Sequence, residues 1–100
     1  MATTPAVLYR GAAATSSATL YTVPSSTTTI VTNIVVANTA ATSATFTISL
    51  AGTVIIPATT IAANTTVLFD MKQVLTTTQV IAGFASATTV NFSISGVALV

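Results

Sequence analysis

An antiparallel β-sandwich of the jelly-roll kind is the fold this chain points to, and three observations lead there. Apolar and hydroxyl residues alternate with a period of two in several segments, turn residues interrupt the chain about every ten residues, and no segment carries the period of an amphipathic helix. Threonine, valine and isoleucine dominate, and their branched Cβ atoms resist helix and suit a pleated surface. At 100 residues the chain is one domain around one modest core. The expected class is therefore all-β, a single antiparallel sandwich of jelly-roll-like layout with an extended N-terminal arm.

The opening segment, MATTPAVLYRGAAATS, is small, polar and alanine-rich around one apolar patch. It has two readings. One is an edge strand at a frayed terminus. The other is an arm lying across a neighbouring subunit, with Val7, Leu8 and Tyr9 as its anchor and Arg10 as its charge. The arm sets the expected division: residues 1–16 as the arm, residues 17–100 as the sandwich.

SATLYTV, ending before Pro24, is a short strand. TTTIVTNIVVAN is a long β-branched strand with Ile30, Thr32, Ile34 and Val36 on one face and Val31, Asn33 and Val35 on the other; apolar residues on both sides make it the expected central strand. SATFTISL puts Ala44, Phe46, Ile48 and Leu50 opposite Thr45, Thr47 and Ser49, the alternation of a half-buried strand. TVII before Pro57, NTTVLFD and QVIAGF are shorter strands, and DMKQVL reads as a turn of helix or a loop. TTVNFSIS sets Val90, Phe92 and Ile94 against Asn91, Ser93 and Ser95, with a bulge offered at Gly96 before ValAlaLeuVal. Turns fall at ValProSerSer, AsnThrAlaAlaThrSer, LeuAlaGly, IleProAlaThr and AlaAlaAsn.

Charged residues make up 3% of the chain, against roughly 25% in an ordinary soluble domain. Arg10, Lys72 and Asp70 leave a net charge of +1, with no basic stripe for phosphates and no polybasic patch for anionic lipid. Nucleic acid and membrane surfaces are thus not expected partners, and every apolar run is too short to span a bilayer. MATTPAVLYRG lacks the apolar block of a secretory signal, so the expected site of synthesis and assembly is a cytoplasm. The sequons at Asn64 and Asn91 are set aside for the same reason.

Chemistry finds little to work with. The chain has no histidine, cysteine or glutamate and a single aspartate, so a tuned acid-base pair, a thiolate and a carboxylate metal site are all missing. Lys72 is the one base available to a hydroxyl nucleophile, and no SxxK motif contains it. The glycines stand singly and cradle no phosphate. No enzyme activity, catalytic residue, cofactor or metal is expected. Asp70 and Lys72, two apart in a strand, share one side and form either a solvated pair or an interface contact.

A nearly uncharged, methyl-rich surface with edge strands poor in lysine offers little resistance to association. A structural subunit of a large assembly fits this best. The phrases TLYTVPSSTTTIVTNIVVANTAATSATFTISLAGT, IAANTTVLFDMKQVL and VNFSISGVALV resemble small virion proteins of tailed bacteriophages, and the resemblance runs from Thr19 onward. It implies a β-sandwich located in the virion, most simply a capsid decoration (cement) protein on the outside of the head shell. Its implied partners are itself, as a homo-oligomer and in particular a trimer, and the major capsid protein.

Two other classes compete. A tail-associated or fibre-like module recognising a receptor or glycan needs exposed aromatics, for which Tyr9 and Tyr21 are the candidates. An ice-binding or surface-layer protein needs a regular threonine grid, and the threonine spacings here are irregular.

Overall fold

The computed structural model describes residues 3–99; Met1, Ala2 and Val100, the outer ends of the expected arm and of the last strand, lie outside the described residues. Eight strands follow one another: β1 (Thr3–Ala12), β2 (Ala18–Thr22), β3 (Thr28–Asn38), β4 (Ala44–Leu50), β5 (Thr53–Ile61), β6 (Thr65–Leu75), β7 (Val80–Ala85) and β8 (Val90–Leu99). They form two four-stranded sheets, β1-β8-β3-β6 and β2-β7-β4-β5, and every neighbouring pair is antiparallel. Apart from the β4–β5 hairpin, each connection carries the chain from one sheet to the other, which is the double Greek-key path of a jelly roll.

Alternation explains the core. Ala44, Phe46, Ile48 and Leu50 of β4 and Val90, Phe92 and Ile94 of β8 are all buried, as their period-two spacing predicts. Phe46 sits edge-on to Phe92 and to Phe69 of β6, with ring centroids 6.3 Å and 6.0 Å apart, so one aromatic cluster joins the two sheets. β3 lies between β8 and β6, as a central strand should.

Three expectations give way to bulges. In β3 the register shifts at Thr32, so the buried set is Thr29 and Val31, then Ile34, Val36 and Asn38; the faces expected from strict alternation swap at that residue. DMKQVL is neither helix nor loop: it continues β6 as strand, with extra residues at Met71 and Lys72 opposite Thr32. IleProAlaThr is not a turn, because β5 runs through Pro57. There β5 is a sheet edge and the register slips, so the missing N–H of proline breaks no ladder bond. The irregularity expected at Gly96 falls on its neighbours instead: Leu8 and Thr32 are the extra residues, in β1 and β3. Gly96 is the point of closest approach, since a Cβ there would lie 2.3 Å from the Ile30 carbonyl oxygen.

Loops at both ends are tied without charge. Asn38, buried at one end, donates through Nδ2 to the carbonyls of Thr42, Ala62 and Ile61 and accepts through Oδ1 from the Ala40 N–H and the Thr89 hydroxyl. At the other end the Thr77 hydroxyl donates to the Thr27 carbonyl at 3.1 Å and accepts from the Thr27 N–H at 3.3 Å. Among the described residues no buried side-chain nitrogen or oxygen lacks a partner, as a compact interior requires.

Candidate interaction surfaces

The described residues of the N-terminal segment take the edge-strand reading. Thr3–Ala12 pairs along its length with β8, so this segment completes a sheet of its own chain. The proposed anchor is divided by the bulge at Leu8. Val7 faces out and is 55% exposed, Leu8 turns into the chain's own core, and Tyr9 packs half-buried against that core with its hydroxyl donating to the Ala12 carbonyl at 2.8 Å. Leu8 is therefore a core residue, and only Val7 and Arg10 present themselves to a neighbour.

The outer face of the β1-β8-β3-β6 sheet assembles in rows fixed by register. Arg10, Ser93, Val35 and Leu68 lie side by side across the four strands. The adjacent row is Val7, Ser95, Asn33 and Asp70. Arg10 and Asp70 thus stand on opposite edges of one face, three strand spacings or about 14 Å apart, too far to pair within the chain. The Arg10 Nε–H donates to the Ser93 hydroxyl oxygen at 3.2 Å, which lays the guanidinium along the face. Asp70 and Lys72 are both exposed on β6, with Lys72 an extra residue at the bulge opposite Thr32.

Two shallow grooves cross this face. One, of about 340 Å³, is lined by Arg10, Gly11, Val35, Ala37, Asn91 and Ser93 with Phe92 beneath; on the outward parity the small side chain of Ala37 leaves the hollow. The other, of about 420 Å³, lies beside Val7, Thr32, Ser95 and Gly96. Beyond the grooves, Leu68 and Val74 on β6 and Val54 and Ile55 on β5 are large apolar side chains left in solvent. Sequence reading missed them. The signal was present in ThrThrValLeuPheAsp, where apolar residues occupy both parities, so one of Leu68 and Phe69 has to face outward.

The other sheet, β2-β7-β4-β5, carries no charged residue. Its outer face is built of Thr45, Thr47, Ser49, Ala82 and a half-buried Phe84. Tyr21, a candidate for recognising a receptor, shares a hydrogen bond of 3.1 Å with the Thr29 hydroxyl. Both tyrosine hydroxyls are thus engaged inside the chain. Among the described residues no three His, Cys, Asp or Glu side chains come together, so that part of the chain offers no metal cluster.

No protein-family model matches the chain, and no curated protein matches it. Among solved structures, it superposes on a chain from the crystal structure of the T13 IBDV viral particle with a TM-score of 0.58 at 12% identity. The match covers 97% of this chain and 30% of that one. At this identity the likeness is one of fold: a jelly roll of this path also occurs as part of a longer chain in an icosahedral virus particle.

Proposed function

We propose that this chain is a virion structural protein, and specifically a decoration (cement) subunit on the outside of a tailed-phage head, acting as a symmetric homo-oligomer against the major capsid protein. The observation that carries this reading is the combination of a jelly roll, a fold shared with a viral-particle chain, with outer faces made of hydroxyls and methyls. Such faces suit permanent protein contact: hydroxyls satisfy each other across an interface, and few charges have to be desolvated. In this reading the chain works without catalysis or cofactor and reaches the virion after assembly in the host cytoplasm.

A tail-tip or receptor-binding role is the runner-up. It ranks second because both tyrosines spend their hydroxyls on intrachain bonds, which leaves few free aromatic groups beside polar ones.

Co-sedimentation separates the two. Purified protein is mixed with heads lacking it and, separately, with tails. The cement reading expects it to pellet with heads at a fixed number of copies, and to stay bound between 0.05 and about 0.5 M salt because ion pairs contribute little. Protein that stays in the supernatant with heads and pellets with tails overturns the reading.

A further inference from the structure

The four free sheet edges are each blunted, so association by edge pairing is disfavoured. β1 carries Pro5 and the Leu8 bulge; β2 is five residues long with a shift at Leu20; β5 carries Pro57; β6 carries Asp70, Lys72 and its own bulge. The scarcity of lysine is thus offset by proline and by bulges. Contact between copies falls to the faces.

We propose that the outer face of the β1-β8-β3-β6 sheet is a self-complementary interface that takes a second copy of the same face about a two-fold axis parallel to the strands. Such an axis, passing between β8 and β3, keeps each row of side chains opposite itself and exchanges its ends. Leu68 of one copy, 57% exposed, then lies over the row end that bears Arg10 of the other, at the rim of the hollow beside Ala37. Ser95 meets Asn33, a hydroxyl on an amide. Asp70 comes within one row of Arg10 of the other copy, and the two-fold makes this pair twice.

The chain's only acidic side chain and its Arg10 are on one face and cannot reach each other within it, yet the two-fold brings them together. The area suffices. Four strands at about 4.8 Å spacing and some 30 Å of strand length give roughly 600 Å² per copy, or about 1,200 Å² in all, above the roughly 1,000 Å² that a specific interface needs. This arrangement is two-fold, where the phage resemblance implied a trimer, and it concerns the free chain whatever the particle it joins.

Sedimentation equilibrium on the full chain tests it, with circular dichroism to show that each variant folds. The wild type is expected as a dimer. Arg10→Asp and Asp70→Arg are each expected to weaken it at least about tenfold, and the double exchange to restore it to within a few-fold of wild type. Leu68→Lys, at an exposed position, is expected to give a folded monomer. A wild type that is monomeric at all concentrations or trimeric overturns the inference. So does a dimer that Leu68→Lys leaves intact, or charge reversals whose effects simply add.

Discussion

Replacing Asn38 with aspartate changes one NH2 group to oxygen and almost no volume, so it isolates the hydrogen bonding of a side chain that is 2% exposed. The amide nitrogen faces three carbonyl oxygens, at 2.8 Å (Thr42), 3.3 Å (Ala62) and 3.4 Å (Ile61). A neutral carboxyl keeps one O–H donor and loses the other, which costs about 1–2 kcal/mol. An ionised one sets a buried charge against three carbonyl dipoles, and the cost rises to about 3–5 kcal/mol. Burial and those carbonyls both raise the folded carboxyl's pKa above its unfolded value of about 3.9. The charge penalty is therefore absent below about pH 4, grows as pH rises toward the folded pKa, and is constant above it. Asn38→Asp is expected to melt about 12–40 °C below wild type at pH 7 and to recover much of that by pH 4. The background favours the measurement, because the wild type has one aspartate, no glutamate and no histidine to titrate in this window. Thermal melts followed by circular dichroism at half-unit pH steps provide the data. A variant within about 2 °C of wild type at pH 7, or one whose deficit does not shrink on acidification, refutes the role assigned to Asn38.

Gly96→Ala places a Cβ 2.3 Å from the Ile30 carbonyl oxygen and 3.0 Å from Leu8 Cδ1, and is expected to lower stability by about 3 kcal/mol in a urea titration. Gly11→Ala, whose nearest neighbour would be the Tyr9 hydroxyl at 3.5 Å, serves as the comparison and should stay within about 0.5 kcal/mol of wild type. In the β4–β5 hairpin Ala51 and Gly52 have φ of 52° and 80°, the left-handed pair of a type I′ turn. Ala51→Asn is therefore expected to raise the melting temperature by about 4–8 °C, corresponding to about 1 kcal/mol. Phe46→Ala removes the ring that meets both Phe69 and Phe92, and is expected to cost about 3–5 kcal/mol by urea denaturation; a loss under about 1 kcal/mol would remove the aromatic cluster from the account of the core.

The strands legible in the sequence were those whose alternation is unbroken. SATFTISL and VNFSIS each have small or polar residues on one parity and large apolar ones on the other, and they became β4 and β8 with the expected residues buried. Where a bulge intervenes, parity carries no warning. Thr32 satisfies its extra position by donating to the Ser95 carbonyl at 3.1 Å, a long-range contact that nothing in TTTIVTNIVV announces. The same holds for Met71 and Lys72, whose irregularity follows from the neighbouring β3 and broke the period that would have marked β6. The surface was legible only in its chemistry. Scarce charge and abundant threonine could be read directly, whereas the placing of Arg10 and Asp70 on opposite edges of one face depends on β1 and β6 being the outer strands of the same sheet. Leu8 illustrates the converse: an apolar triplet near a terminus looks like an anchor until a bulge turns both Leu8 and Tyr9 toward the chain's own core.

Calorimetry of heads with and without the added protein is the most direct test of the proposed role. A cement subunit bound across capsid contacts is expected to move the shell's disruption transition to higher temperature, saturating at the same stoichiometry as sedimentation. A transition that stays in place at saturating protein would contradict the account.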